Sequence, residues 1–209
     1  MDGVKTEFPK TRWRIGFIRE GLSVFSGFEP YALEAFDRLI DRLRKERGLR
    51  LSEISPAADF NRIHAIHSLI YDKTLAYYFK KEFQQHTLIS QVMYEIIQRG
   101  NAITTEQYVA ALEEQARLRT VLTRQLDRFD VVLVLSTAGS APKLSAEEKP
   151  DTALIWTFLG YPALSIPSFR DPEGLPFGLQ LVAKRFDDYR LLEIAQAVTR
   201  SIPPAVAAP

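Results

Sequence analysis

The chain has 209 residues, 46% of them apolar and 25% charged, a balance that allows a sizeable core and excludes disorder as the default state. Basic and acidic residues number 27 and 26, so a net charge of +1 gives no global footprint for nucleic acid or an anionic membrane. With no cysteine, disulfides, thiolate metal sites and a Cys nucleophile are all excluded.

Residues 1–11 are polar and irregular and read as a flexible lead-in with no apolar core of a signal peptide. No apolar run reaches the ~18 residues that a membrane-spanning helix needs. Trp13, Ile15 and Phe17 alternate with Arg12, Arg14 and Gly16, the period of a strand. The loop Arg19 to Glu29 follows, and Pro30 suits a first helical turn. Leu33, Phe36, Ile40 and Leu43 form one apolar stripe, and Gly48 is expected to end that helix. Leu49 to Ile54 reads as a second strand. Strand, helix and strand in this short space predict a βαβ unit with a parallel pair.

A helical insertion is expected from about Pro56 to Arg128. Ser55-Pro56 and Asp59 predict one long helix to about Phe83, and a second runs from about Leu88 to Arg99, stopped by Gly100. Thr104 and Gln107 have the spacing of a capping box for a third, with Tyr108, Leu112, Leu122, Leu126 and Phe129 near one face. Val131 to Leu135 is an unbroken apolar run, the pattern of a strand covered on both faces. Residues 143–151 are a polar connector.

From Trp156 onwards the signals are dense. Gly160-Tyr161-Pro162 ends a helix, because glycine adopts the left-handed cap and proline cannot continue. Ala163 to Ile166 reads as a strand closed by Pro167, and Asp171-Pro172-Glu173-Gly174 is a turn. Leu175 to Lys184 resumes in strand, with Phe177, Leu179, Leu181 and Ala183 on one face and Gly178, Gln180 and Val182 on the other. Asp187 or Asp188 is expected to cap a final helix carrying Leu191, Ala195, Val198 and Ile202. A Pro/Ala tail closes the chain at 203–209.

The runs WTFLGYPALSIP, GLPFGLQLV and RFDDYRLLEIA, gapless from Trp156 to Ala195, resemble the C-terminal end of the amidase signature family. That family includes the A subunits of aminoacyl-tRNA amidotransferases and related amidases. The opening strand–helix–strand and the segment FDVVLVLSTAGSAP are similar to it too, although the family usually has proline where Leu135 stands and often where Ala138 stands. The resemblance implies an α/β fold: the C-terminal portion of a mixed sheet flanked by helices, with residues 12–202 forming a partial amidase domain. It implies cleavage of a carboxamide C–N bond by a Ser-Ser-Lys centre whose Gly/Ser-rich loop also supplies the oxyanion hole. No cofactor or metal is expected, nor direct contact with nucleic acid or membrane, and a cytoplasmic location is expected.

No Gly-Ser-Ser run occurs in the sequence, so no catalytic residue is carried over. The resemblance instead marks Ser136, Thr137, Trp156 and Tyr161 as substrate-pocket candidates, and Gln180 joins them on its own chemistry. Gln180 is a polar group on a buried strand and needs a hydrogen-bond partner; Gly178 beside it predicts close approach of another backbone. Ser140-Ala141-Pro142-Lys143 fits an S-x-x-K pattern, but Pro142 favours a loop over the helix that pattern requires. His64 and His67 share a helix face at metal-ligand spacing without a carboxylate companion, and His86 stands apart. The expected partners are a complementary catalytic half, or a second copy of the chain, with a small amide as substrate of the full enzyme. The alternative is a non-catalytic remnant or accessory subunit that binds a partner through an exposed sheet edge.

Overall fold

The computed structural model describes residues 12–19, 27–144, 146, 149 and 152–202, so the predicted lead-in and Pro/Ala tail lie outside the described residues. The chain divides into two units, residues 59–121 and the segments on either side of them. The larger unit is built on five strands: β1 (Trp13–Phe17), β2 (Leu49–Glu53), β3 (Val131–Leu135), β4 (Ala163–Arg170) and β5 (Pro176–Val182), in the order β2-β1-β3-β5-β4. β1 lies parallel to both β2 and β3, whereas β5 is antiparallel to β3 and to β4. The predicted mixed α/β sheet is therefore present, with β3 at its centre and buried at every residue.

Register assigns the two faces. Gly16, Val132, Val182, Gln180 and Ser165 follow one another across the strands on one face; Phe17, Leu133, Leu181 and Leu164 do so on the other. Helix α1 (Pro30–Leu43) covers the second face, where Phe36 meets Phe17 edge-on at 6.4 Å. On the first face a side chain at Gly16 would collide with Ile54 and Phe129, so the strand at Gly16 is pressed directly beneath them. Helix α1 stops at Leu43 rather than at Gly48, which instead takes φ +93° in the turn leading into β2.

Pro167 does not close β4. The strand runs through it to Arg170 with a bulge between Pro167 and Phe169, which proline tolerates because β4 is an edge strand. Three helices, α2 (Ile63–Tyr78), α3 (Gln91–Ala102) and α4 (Thr105–Leu126), precede β3 in the chain, and helix α5 (Leu154–Leu159) follows it and ends at Gly160, which adopts the left-handed φ +72° as expected. Helix α6 (Asp188–Ser201) departs from expectation: Asp187 occupies its N-cap without a side-chain hydrogen bond, and its carboxylate lies 3.9 Å from Arg190 instead. The sharp entry is made by Phe186 at φ +67°.

The unit of residues 59–121 is helical. One long helix was expected to start near Pro56; the chain makes a 3-10 turn over Ala58–Arg62 before α2 (Ile63–Tyr78) begins. Helix α3 (Gln91–Ala102) starts later than Leu88, capped by the Ser90 hydroxyl on the Met93 N–H at 3.2 Å. Gly100 lies inside α3 and does not stop it. Its role is contact: a β-carbon there would come within 2.0 Å of the Asp72 carbonyl oxygen on α2. The same crossing is held by Arg99, whose Nε–H donates to the buried Asp72 carboxylate at 2.8 Å. Phe83 stacks on Tyr94 with centroids 5.1 Å apart.

Helix α4 (Thr105–Leu126) opens with the predicted capping box, reciprocal bonds of 2.9 and 3.2 Å between Thr104 and Gln107. Its buried face carries Ala111, Leu118, Leu122 and Leu126; Leu112, expected on it, is exposed. Among the described residues no helix is long and apolar enough to cross a membrane.

Candidate functional site

In the parallel part of the sheet, ordered β2-β1-β3, the connection from β1 runs to β2 on one side and the connection from β2 returns past β1 to β3 on the other. The crevice outside the carboxyl ends of β1 and β3 is the natural place for a ligand in such a sheet. Here the loop 136–144 emerges from the carboxyl end of β3. Several separate segments fix it. The Ser136 N–H and hydroxyl both donate to the Gly178 carbonyl, at 3.0 and 2.8 Å. The Thr152 hydroxyl donates to the carbonyls of Leu135 and Ser136 at 3.2 and 2.9 Å. The Glu29 N–H donates to the Ala138 carbonyl at 2.8 Å.

The tip of the loop meets a three-residue clasp of Tyr31, Ser140 and Asp171. The Ser140 N–H donates to the Tyr31 oxygen at 2.9 Å, and the Ser140 hydroxyl donates to Asp171 Oδ2 at 2.6 Å. Because that hydroxyl proton goes to the carboxylate, the Tyr31 hydroxyl is the donor in its 3.2 Å contact with Ser140 Oγ. Asp171 Oδ1 meanwhile accepts from the N–H groups of Glu173 and Leu175, fixing the β4–β5 turn. Gly139 is required beneath Tyr31, since a β-carbon would lie 2.4 Å from its hydroxyl oxygen.

Ser140 donating to Asp171 holds that carboxyl below its ordinary range, with the backbone N–H groups adding to the effect and burial opposing it. A carboxylate so stabilised is a poor base at neutral pH, so this Ser–Asp contact does not generate a nucleophile. Its folded value being depressed, its stabilisation is complete above the ordinary carboxylate range and is lost as pH falls through the folded value. An NMR titration of the Asp171 carboxyl is expected to place it below free aspartate, with Ser140→Ala returning it upward. No change on that substitution would remove the hydroxyl as the cause.

The structure brings some of the sequence-derived pocket candidates together. Gln180 lies opposite both Val134 and Ser165, next along its face from Gly178, which Ser136 binds. A side chain at Gly178 would meet the hydroxyls of Ser136 and Ser165, each at 2.6 Å, so the tightest approach is by two serine side chains and the expected backbone, the Ile166 carbonyl oxygen, stands further off at 3.2 Å. Thr137 is exposed, its hydroxyl turned back to the Gly139 carbonyl at 2.6 Å. Trp156 is 1% exposed in α5, four residues after Thr152. Tyr161 lies elsewhere: the next residue, Pro162, accepts from the Ala183 N–H, and the Tyr161 hydroxyl meets Thr123 at 2.6 Å. Two buried atoms in this set have no hydrogen-bond partner among the described residues, Gln180 Oε1 and Trp156 Nε1.

Tyr31 and Asp171 escaped the sequence reading. Asp171 was legible as a turn residue, but nothing in the sequence shows which serine its second oxygen accepts from. Residues 140–144 are not helical, so Lys143 is not one turn beyond Ser140 as an S-x-x-K pair demands. His67 stacks on Tyr71 at 5.3 Å, and among the described residues no group of three or more His, Asp or Glu is placed to hold a metal ion.

Comparison with known proteins decides the lineage. The sequence profile of the Amidase family matches residues 5–192. The chain belongs to the amidase family. The A subunit of the glutamyl-tRNA(Gln) amidotransferase of Pelagibacter ubique is 27% identical over 145 residues, 64% of this chain and 28% of that protein. The fatty acid amide hydrolase of Medicago truncatula is 30% identical over 112 residues, 47% of this amidase chain and 18% of the plant protein. A crystal structure of an amidase superposes with a TM-score of 0.81 at 22% identity, covering 93% of this chain and 46% of that one. This amidase chain thus spans under half the length of these relatives.

Proposed function

We propose that this chain is the C-terminal part of an amidase-signature hydrolase that cleaves carboxamide C–N bonds, and that it turns over no amide by itself. The observation that carries this reading is coverage: 93% of the chain matches an amidase fold of which it accounts for only 46%. The nucleophilic serine, its Ser-Lys proton relay and the oxyanion N–H groups belong to a complementary half, since no Gly-Ser-Ser run occurs in these residues. The work left to this part is positional. Loop 136–144 is braced to form one wall of the cleft, with Ser136, Thr137 and Gln180 at its polar side and Trp156 beneath. Tyr161 supports the wall from a distance through Thr123. A buried carbonyl oxygen without a donor is costly, so Gln180 Oε1 receives an N–H from the complementary half or from the substrate amide.

The test is to isolate the native protein through a C-terminal tag, determine its intact mass and its companions, and assay ammonia release from primary carboxamides. Turnover is expected only from material that carries further polypeptide, whether joined to these 209 residues or co-purified with them. Turnover by these residues alone, surviving Ser140→Ala, would overturn the reading. A companion without any turnover would point instead to an accessory, non-catalytic role.

A further inference from the structure

At the opposite end of the sheet, the amino ends of β1 and β2, lies an open cavity of about 480 Å³ lined by Arg12, Arg47, Gly48, Leu49 and Arg50. We propose that this cavity binds a small phosphate-bearing molecule through the guanidinium groups of Arg12, Arg47 and Arg50. The backbone builds the cluster. Gly48 at φ +93° turns the chain back, its carbonyl accepts from the Trp13 N–H at 2.7 Å, and this closure brings Arg47 and Arg50 beside Arg12. Parallel register then sets Arg50 directly across from Arg14. Like charges facing each other across a strand pair are unfavourable. Arg14 is relieved by Asp130, with contacts of 3.5 and 3.4 Å to its side chain.

Arg12, Arg47 and Arg50 have no such relief; among the described residues none of them pairs with a carboxylate. Several arginines elsewhere are ion-paired, as with Arg19 and Asp37, Arg44 and Asp41, or Arg99 and Asp72. Three unpaired guanidiniums around one cavity make a local positive field within a chain of net charge +1. Guanidinium forks match the oxygens of a phosphate group bidentately, which an ammonium cannot do. The volume exceeds that of one phosphate group and lies in the ~300–1,000 Å³ range of small-molecule sites, leaving room for an organic moiety. The near-neutral total charge argues for a small ligand over a nucleic-acid track.

The site is independent of the amide chemistry, and its test does not use activity. Inorganic pyrophosphate is titrated into the 209-residue chain at fixed ionic strength while the arginine Nε–H resonances are followed by NMR. Saturable shifts are expected at Arg12, Arg47 and Arg50. Arg47→Ala with Arg50→Ala should weaken binding by about tenfold or more, while Arg38→Ala leaves it unchanged. Arg47→Lys, which keeps the charge and loses the fork, should fall between and guards against a variant that fails to fold. Shifts that are unsaturable, or spread evenly over surface arginines, would overturn the proposal. A short single-stranded RNA that outcompetes pyrophosphate at the same arginines would overturn it in favour of nucleic acid.

Discussion

Gly100→Ala is expected to open the helical unit by separating α2 from α3. Alanine brings about 1 kcal/mol of intrinsic helix preference over glycine. Against this, the added β-carbon lies 2.0 Å from the Asp72 carbonyl oxygen, 2.5 Å from its carbon and 2.8 Å from the Ala76 β-carbon. The first two are backbone atoms, which no rotamer change can move. Overpacking commonly costs about 1–3 kcal/mol and more when backbone must shift, so a net loss of roughly 2 kcal/mol or more is expected. Moving the helices apart also lengthens the Arg99 contact to Asp72, a carboxylate too buried to be hydrated in compensation. Hydrogen exchange distinguishes this from general damage: amides of α2 and α3 should lose protection while those of β1, β3 and β5 keep it. Unchanged or improved protection in α2 and α3 would show that the close approach is not a constraint.

The second large effect is at Trp156, which is 1% exposed. Trp156→Ala is expected to cost about 3–5 kcal/mol, the sum of lost burial and a cavity that its close-packed surroundings fill only in part. Trp156→Phe should cost far less, about 1 kcal/mol. It loses some volume but also removes a buried N–H that has no acceptor among the described residues. The pair of variants separates packing from recognition. If the indole N–H donates to the complementary half or the substrate, Trp156→Phe lowers kcat/KM of the assembled amidase by up to about tenfold while the melting temperature of this chain barely moves. Equal kcat/KM for Trp and Phe would leave Trp156 as a packing residue only.

Local chemistry was legible where a residue acts on its own neighbourhood. The unbroken run Val131–Leu135, the Thr104–Gln107 box and the left-handed Gly160 each follow from a few adjacent residues, and each is found as expected. The departures share another cause. Gly100 reads as a helix stop until α2 is seen pressing on it, and Pro167 reads as a strand end until β4 is seen to be an edge. Asp187 has the composition of a cap, yet its carboxylate turns to Arg190. The clasp of Tyr31, Ser140 and Asp171 joins residues 109 and 31 positions apart, and polar contacts at such distances leave no periodic trace. The resemblance from Trp156 to Ala195 gave the lineage before any geometry, because it rests on a whole pattern rather than on single residues.

The proline within β4 has a consequence for crowding and storage. Stacking of chains into fibres requires a ladder of donors and acceptors that repeats without interruption along the outermost strand. Pro167 supplies no N–H at all, and the bulge beside it breaks the spacing between Ala163–Ile166 and Phe169–Arg170. A neighbouring strand would find only a short foothold before the repeat fails. Even unaccompanied, this chain carries on its outer strand a built-in obstacle to polymerising through that side.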